Sequence, residues 1–363
     1  MNKKIAGFGI ALVTVGVILG AVTYYKRHQI KSNMSELDLT KTSNEFYLNE
    51  DEYEQQMNDI VKPYLAEYKK ESYFTPVEGI EIYYQSYVQK KSAASVVISH
   101  GFTESSDKYE EVIYYFLKQG YSVYIMDHRG HGYSTRQVED LSLVYVEDFE
   151  DYVHDFGTFV KTVVKPEIGD QTCYLYAHSM GGGIATRVLQ EYPDLFDKAV
   201  LSSPMMGVQT GYPKFISKIV ANVATMIGKA ENYVFGHYAF DGIRDFAAFS
   251  STSESRFNYY FDKLLSNEMF QTYGASFAWL KQCLYGTDTM LEKSNLAKIT
   301  TPILMFQAEY DTLVKASAHY QFASQVALTD LVFVKNAKHE LYSTGNDILI
   351  PYFNTIFEFL TIN

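Results

Sequence analysis

From residue 72 onward, short apolar runs alternate with longer amphipathic stretches. Ser72-Tyr73-Phe74-Thr75-Pro76 and Ile80 to Val88 predict two strands of a hairpin that turns near Gly79. Further strands are predicted at Ala94 to Ser99, Tyr121 to Met126, Cys173 to Ala177, Lys198 to Ser202, Ile303 to Phe306 and Asp330 to Val334. Helical spacing marks Lys108 to Lys118, which stops at Gly120, and Val146 to Val164, where Phe149, Val153, Phe156, Val160 and Val164 recur every three or four residues. It returns at Met180 to Gln190, Lys315 to Val326 and Asp347 to Leu360. Strands that alternate with helices of about 10–15 residues imply βαβ units, hence an α/β fold with a mostly parallel sheet of roughly eight strands and helices on both faces.

The alternation breaks between 207 and 298, a helix-rich, aromatic stretch with no evident strand. It predicts a helical cap inserted between two strands of one sheet, whose core is 71–206 plus 299–363. Two independent domains are the simpler alternative. The cap is preferred because the later core segment supplies groups that the earlier one needs.

The first 70 residues follow another logic. Lys3 and Lys4 precede Ile5 to Tyr25, which contains no charged residue, and Lys26, Arg27 and Lys31 follow. At about 1.5 Å per residue this run crosses a hydrocarbon layer of roughly 30 Å as a helix. A cleaved signal peptide is the rival, but its apolar region usually spans only about 7–15 residues before a small-x-small site, and Leu19-Gly20-Ala21 is a poor one. Residues 1–29 are therefore expected to be an uncleaved, single-pass transmembrane anchor in the cell membrane. The short lysine-bearing tail favours the inside, which leaves the following domain extracellular. Residues 30–70 are polar and acidic and predict a stalk with a short amphipathic helix over Glu52 to Lys70.

Composition narrows the function classes. With 363 residues and 47% hydrophobic positions, a sizeable core is assured. The formal charge of -12 and the lack of a basic stripe argue against nucleic-acid binding. Cys173 and Cys283 lack metal or redox spacing, and Cys173 reads as a small buried hydrophobe.

The strongest chemical signal is Ala177-His178-Ser179-Met180-Gly181, set between a strand and a helix that opens Gly181-Gly182-Gly183. A serine on a sharp strand-to-helix turn stands above the sheet, and the tightness of the turn demands small residues two before and two after it. Its position at a helix N-terminus favours developing negative charge. A serine hydroxyl needs a base. Among nine histidines, His339 follows the last strand on a loop at its C-terminal end, where sites of such sheets assemble. The orienting carboxylate lies between serine and histidine in chain order. Asp311 fits, and Glu309 competes from two residues away. The oxyanion donors are expected to be the backbone N–H groups of Met180, next to the nucleophile, and Phe102, in His100-Gly101-Phe102 after an earlier strand. Asp127-His128-Arg129-Gly130-His131-Gly132 also ends a strand. Without a further ligand at helical spacing, it reads as a loop held by its own hydrogen bonds rather than a metal site.

The strings HGFTESSDKYEE, DHRGHGYS, AHSMGGGIA and LSSPMM resemble the bacterial lysophospholipase and monoacylglycerol lipase group of the α/β-hydrolase superfamily, from about Ser72 to the C-terminus. The resemblance implies the fold, a helical cap between the sixth and seventh core strands, a Ser179–Asp311–His339 triad, oxyanion donors at Phe102 and Met180, and a structural role for Glu104 and Tyr109. Ala177 stands where Gly is commoner, and Gln307-Ala308-Glu309-Tyr310 replaces the usual glycine-containing approach to the acid. The implied reaction is hydrolysis of monoacyl lipid esters through an acyl-enzyme, with no cofactor or metal required. Met205, Phe277 and Trp279 are expected to line the substrate site, with Met206, Phe215, Ile219, Val223, Met226 and Ile227 as further candidate walls. The alternatives are a small-ester esterase or peptidase on the same scaffold, or a catalytically silent surface-binding protein.

Overall fold

The structure, a computed structural model, describes residues 34–42 and 45–361. The chain divides into two compact units, 1–35 and 36–363, and the second contains the eight long strands with the helices around them. The predicted anchor at Ile5 to Tyr25 lies outside the described residues. Among the described residues, no helix is long and apolar enough to cross a membrane.

Eight strands of five or more residues build the sheet: β1 (Lys69–Val77), β2 (Ile80–Tyr87), β3 (Ala94–Ser99), β4 (Tyr121–Met126), β5 (Cys173–His178), β6 (Lys198–Ser202), β7 (Ile303–Ala308) and β8 (Thr329–Val334). Their order across the sheet is β1-β2-β4-β3-β5-β6-β7-β8. The β1–β2 and β2–β4 pairs are antiparallel. From β4 through β8 every pairing is parallel. The hairpin turns at Gly79, whose φ of +82° is open to glycine without a Cβ penalty.

Parallel strands buried on both faces read as continuous apolar runs, and β3, β4 and β5 are buried at every position. Side chains alternate between faces. Val96, Ile98, Val123, Ile125, Tyr174 and Tyr176 join one core with α1 (Glu110–Lys118) and the C-terminal helix. The other face carries α2 (Phe149–Phe159), which Asp148 caps by accepting from the Glu150 N–H, and α3 (Ser179–Glu191).

Between β6 and β7 the chain leaves the sheet and forms α4 (Lys214–Met226), α5 (Glu254–Ser266) and α6 (Phe277–Met290). Gly274–Ala275, just before α6, pairs with Leu143–Val144 of the core, a short strand contact that the composition did not suggest. After β7 come α7 (Ala316–Ala323) and, beyond β8, the C-terminal helix α8 (Asn346–Leu360).

The expected stalk requires correction. Residues 50–66 are helical, but they do not stand free. Tyr53, Met57, Val61 and Leu65 recur at helical spacing and are buried in the same core as α1 and α8. The segment looks polar because its outer face is acidic. Its inner face holds one apolar residue per turn, enough to bury against a neighbouring helix.

Candidate active site

Each predicted group sits at the C-terminal edge of a parallel strand. Ser179 directly follows β5 and starts α3, with φ +51°, a left-handed conformation that is strained for a non-glycine residue. Such a turn is possible only because the chain after it can press close to β3. A Cβ on Gly181 would lie 2.2 Å from the Ser99 carbonyl oxygen and 2.4 Å from that of His100. Ala177 is fully buried and its single methyl is accommodated. The Met205 N–H fixes the turn from the β6 side by donating to the Ser179 carbonyl at 2.7 Å.

His339 lies on the loop after β8 and Asp311 on the loop after β7. The Nε2 of His339 is 2.7 Å from Ser179 Oγ, and its Nδ1 is 2.6 Å from Asp311 Oδ2. The other Asp311 oxygen accepts the N–H groups of Leu313 (2.9 Å) and Val314 (3.0 Å). Burial works against ionisation of Asp311. The hydrogen bond and charge of His339 and those two amides outweigh it, and its carboxyl is held below the usual range. Glu309 points elsewhere and accepts the Asn336 N–H at 3.0 Å. The two carboxylates differ in direction: Asp311 turns toward His339 on the loop after β8, while Glu309 stays exposed at the strand end.

The loop after β3 carries Phe102. Its shape depends on Glu104, which is buried. Glu104 accepts from the Gly101 N–H at 2.6 Å, Tyr109 OH at 2.7 Å, Tyr342 OH at 2.5 Å and Lys108 Nζ at 3.0 Å. Lys108 also pairs with Glu340 at 2.9 Å. Burial opposes the charge on Glu104, but the Lys108 ammonium, then the Tyr342 and Tyr109 hydroxyls, hold its carboxyl well below the usual range. His178 packs against His339 with ring centroids 4.8 Å apart. Burial pushes its imidazole down to about 3 despite the pull of Glu104, so it is neutral at working pH. Lys108, Glu340 and Tyr342 were not singled out in the sequence. The signals were there, since Lys108 lies one helical turn past Glu104 and Tyr342 three residues past His339.

The Asp127–Ser134 loop is internally bonded. Asp127 accepts from the Ser106 and Tyr133 N–H groups (2.6 and 2.9 Å), and Arg129 grips Asp155 through two bonds (2.6 and 2.8 Å). The His128 N–H donates to His100 Nε2 at 2.9 Å, which ties this loop to the one that bears Phe102.

Ser179 opens into a cavity of about 520 Å³. Phe102, Met205, Phe277 and Trp279 line it, and the Phe102 and Trp279 rings lie 4.3 Å apart. Among the described residues that line it, none is Asp, Glu, Lys or Arg. The remaining wall candidates are corrected. Met206 is fully buried outside the cavity, and Phe215, Ile219, Val223, Met226 and Ile227 are exposed. The inward side of α4 is instead Ile216, Ser217 and Val220. This helix is apolar on two sides, and periodicity alone cannot choose which side faces in. Val208, Val234, Leu313 and Val314 also line the cavity, and they come from loops without any periodic signal; Gln209, Thr210 and His237 add polar groups to the wall.

A family model described as Serine aminopeptidase, S33 (Hydrolase_4) matches residues 90–344, well over half of the chain. The chain is 27% identical over 292 residues to the probable lysophospholipase L2 of Haemophilus influenzae, covering 80% of this chain and 91% of that protein. It is 26% identical over 291 residues to the monoacylglycerol lipase of Mycolicibacterium smegmatis, covering 78% and 94%. Among solved structures, a soluble variant of monoglyceride lipase from Saccharomyces cerevisiae superposes with a TM-score of 0.65 at 18% identity, covering 81% of this chain and 95% of that one, a likeness of fold. The chain therefore belongs to the family described as Serine aminopeptidase, S33, and its likeness to these relatives is consistent with the lysophospholipase and monoacylglycerol lipase group of the α/β-hydrolase superfamily.

Proposed function

We propose that this carboxylic ester hydrolase cleaves monoacyl lipids, lysophospholipid or monoacylglycerol, through an acyl-enzyme on Ser179. The observation that carries the reading is the continuous Ser179–His339–Asp311 relay at 2.7 and 2.6 Å, opening into an uncharged, mostly apolar cavity. His339 takes the hydroxyl proton as Oγ attacks the ester carbonyl. Asp311 holds the imidazole tautomer and stabilises the imidazolium. The N–H groups of Met180 and Phe102 receive the oxyanion, an effect typically worth about 2.7–4 kcal/mol per donor. His339 then protonates the leaving alcohol, and water, deprotonated by the same imidazole, releases the fatty acid. The acyl chain lies along Met205, Phe277 and Trp279. The names of the relatives support a lipid ester as substrate. The family description favours a second reading, a peptidase. The lack, among the described residues, of a charged group in the cavity to bind a peptide terminus speaks against it.

The membrane is the second element of the proposal. Ile5 to Tyr25 anchors the chain as a single-pass helix, with the catalytic unit on the extracellular side. The exposed apolar side of α4, with Phe235 beside the cavity, suits a lipid surface.

A fluorophosphonate probe tests the nucleophile, and a substrate series tests the class. The expected results are labelling of wild type but not of Ser179→Ala, and preference for long-chain lysophospholipid or monoacylglycerol over p-nitrophenyl acetate and aminoacyl amides. An unlabelled folded wild type would point to a silent binding protein. A preference for short esters or amides would remove the lipid reading. Protection of the catalytic unit from protease added outside intact cells would overturn the orientation.

A further inference from the structure

The segment just before the sheet lies outside the family match, which begins at residue 90, yet it reaches the loop that carries His339. Three stretches meet there: 48–53, the 250–256 stretch that enters α5, and 339–346. Glu50 uses both carboxylate oxygens. Oε1 accepts from Ser253 Oγ at 2.6 Å and lies 3.4 Å from Arg256 Nη1. Oε2 accepts the Asn346 N–H at 2.7 Å, at the first residue of α8, where negative charge is favoured. The Asn346 side chain donates back to the Leu48 carbonyl at 2.7 Å. Arg256, 3% exposed, binds the Thr344 carbonyl at 3.1 Å, Asn346 Oδ1 at 2.9 Å and Glu111 at 2.7 Å. Tyr53 OH donates to Glu111 at 2.8 Å. The histidine loop is further zipped to 250–256 by the Glu340 N–H on the Ser250 carbonyl (3.0 Å) and by Ser251 Oγ on the Ser343 carbonyl.

The loop after β8 has only one short helical turn, Leu341–Ser343, and no strand ladder, so these bonds fix where it lies. We infer that residues 48–53 are a working part of the catalytic unit, with Glu50 and Arg256 as positioning residues that hold the His339 loop and the 250–256 stretch in one register. The inference rests on the reading of His339 as general base. It assigns the membrane-proximal segment a role in turnover beyond tethering. A catalytic group misplaced by 1 Å can cost about a hundredfold in rate, which leaves ample range for a measurable effect.

The test uses the full chain in detergent with p-nitrophenyl butyrate, a substrate that needs no interface. For each variant, kcat is normalised to sites titrated with a fluorophosphonate, which removes any unfolded fraction. Glu50→Ala is expected to lower kcat per titrated site about tenfold and Glu50→Gln about threefold, with KM within about twofold. Asn346→Ala, which breaks the contacts from the loop side, should fall in the same range and carries the test if Glu50→Ala does not fold. A purely structural role predicts a lower melting temperature with kcat per titrated site unchanged, and that result in Glu50→Gln and Asn346→Ala overturns the inference. Failure of the underlying reading looks different: wild type would not titrate at all, or Ser179→Ala would retain turnover.

Discussion

The two surroundings of Ser179 are built on opposite principles. Toward the protein interior, Glu104, Lys108, Glu340, His178, Tyr109 and Tyr342 form a buried cluster in which charge is held by charge and by hydroxyls. Toward the cavity, no charged side chain of the described residues lines the wall, and aromatic and aliphatic groups dominate. The cluster holds Gly101 and packs on His339 through His178, so it governs where the reacting groups stand. The cavity touches the serine but holds few polar partners, so it governs what fits. Removing one member of the buried ion pair leaves an uncompensated charge beside the reacting groups, whereas trimming the cavity wall changes chiefly the space and apolar surface offered to the substrate. The interior side should therefore answer to mutation in rate and stability, and the cavity side in selectivity.

The sharpest attempt to break this contrast acts on the relay between the two regions. Ser179→Ala should lower kcat by about a millionfold, with an unchanged melting temperature, read by calorimetry beside a steady-state assay. Residual turnover near wild type would move the nucleophile elsewhere. Asp311→Asn should cost about ten thousandfold in kcat through the wrong imidazole tautomer. Glu309→Gln, two residues away, should stay within about twofold because its partner is the distant Asn336 amide. Equal losses in the two variants would contradict the assignment.

Next comes the interior cluster itself. Glu104→Gln leaves Lys108 buried with one carboxylate fewer and should destabilise by about 3–5 kcal/mol. The pH dependence carries the same signature. Glu104 and Asp311 are both held below the ordinary carboxylate range. Their stabilisation is present above an unfolded pKa near 4 and is lost as pH falls through the lower folded values. Urea titrations from about pH 6 to about pH 3 should show stability falling, with a shallower fall in Glu104→Gln. Parallel curves for the two proteins would remove Glu104 from the cluster's account.

On the cavity side the effects should be smaller and selective. Trp279→Ala and Phe277→Ala should cut kcat/KM for long-chain monoacyl esters by about ten- to a hundredfold and for acetate esters by only a few fold. A uniform loss would show that these rings hold the oxyanion loop rather than the chain. The least effect belongs to the outer side of α4. Phe215→Ser with Ile219→Ser should change stability by no more than about 0.5 kcal/mol, leave hydrolysis of a soluble ester unchanged, and weaken co-sedimentation with phospholipid vesicles. Unaltered sedimentation would leave that face without a lipid role.

Much of this architecture is legible in the order of residues. The strand–helix rhythm reveals the sheet because strands buried on both faces must be apolar runs. The tight turn around Ser179 left its mark because a Cβ on Gly181 would lie 2.2 Å from the Ser99 carbonyl oxygen, so only glycine fits there. Such constraints are local, and local constraints are written in neighbouring residues. His339, and the acid as one of Asp311 and Glu309, followed from chain order and strand ends.

Other features were decided by contact between distant segments. The choice of Asp311 over Glu309 turned on which carboxylate the β8 loop approaches. The inward face of α4 turned on which of two apolar stripes found the cavity. The acidic N-terminal segment read as a stalk because Tyr53, Met57, Val61 and Leu65 are sparse, and only the surfaces of α1 and α8 reveal what they bury against. The sequence by itself determined the periodic elements and the strained nucleophile turn, where each residue answers to its own backbone. Tertiary structure alone decided how side chains on separate loops were paired, because a carboxylate or an apolar stripe is chosen by the partner that arrives, and that partner is coded elsewhere in the chain.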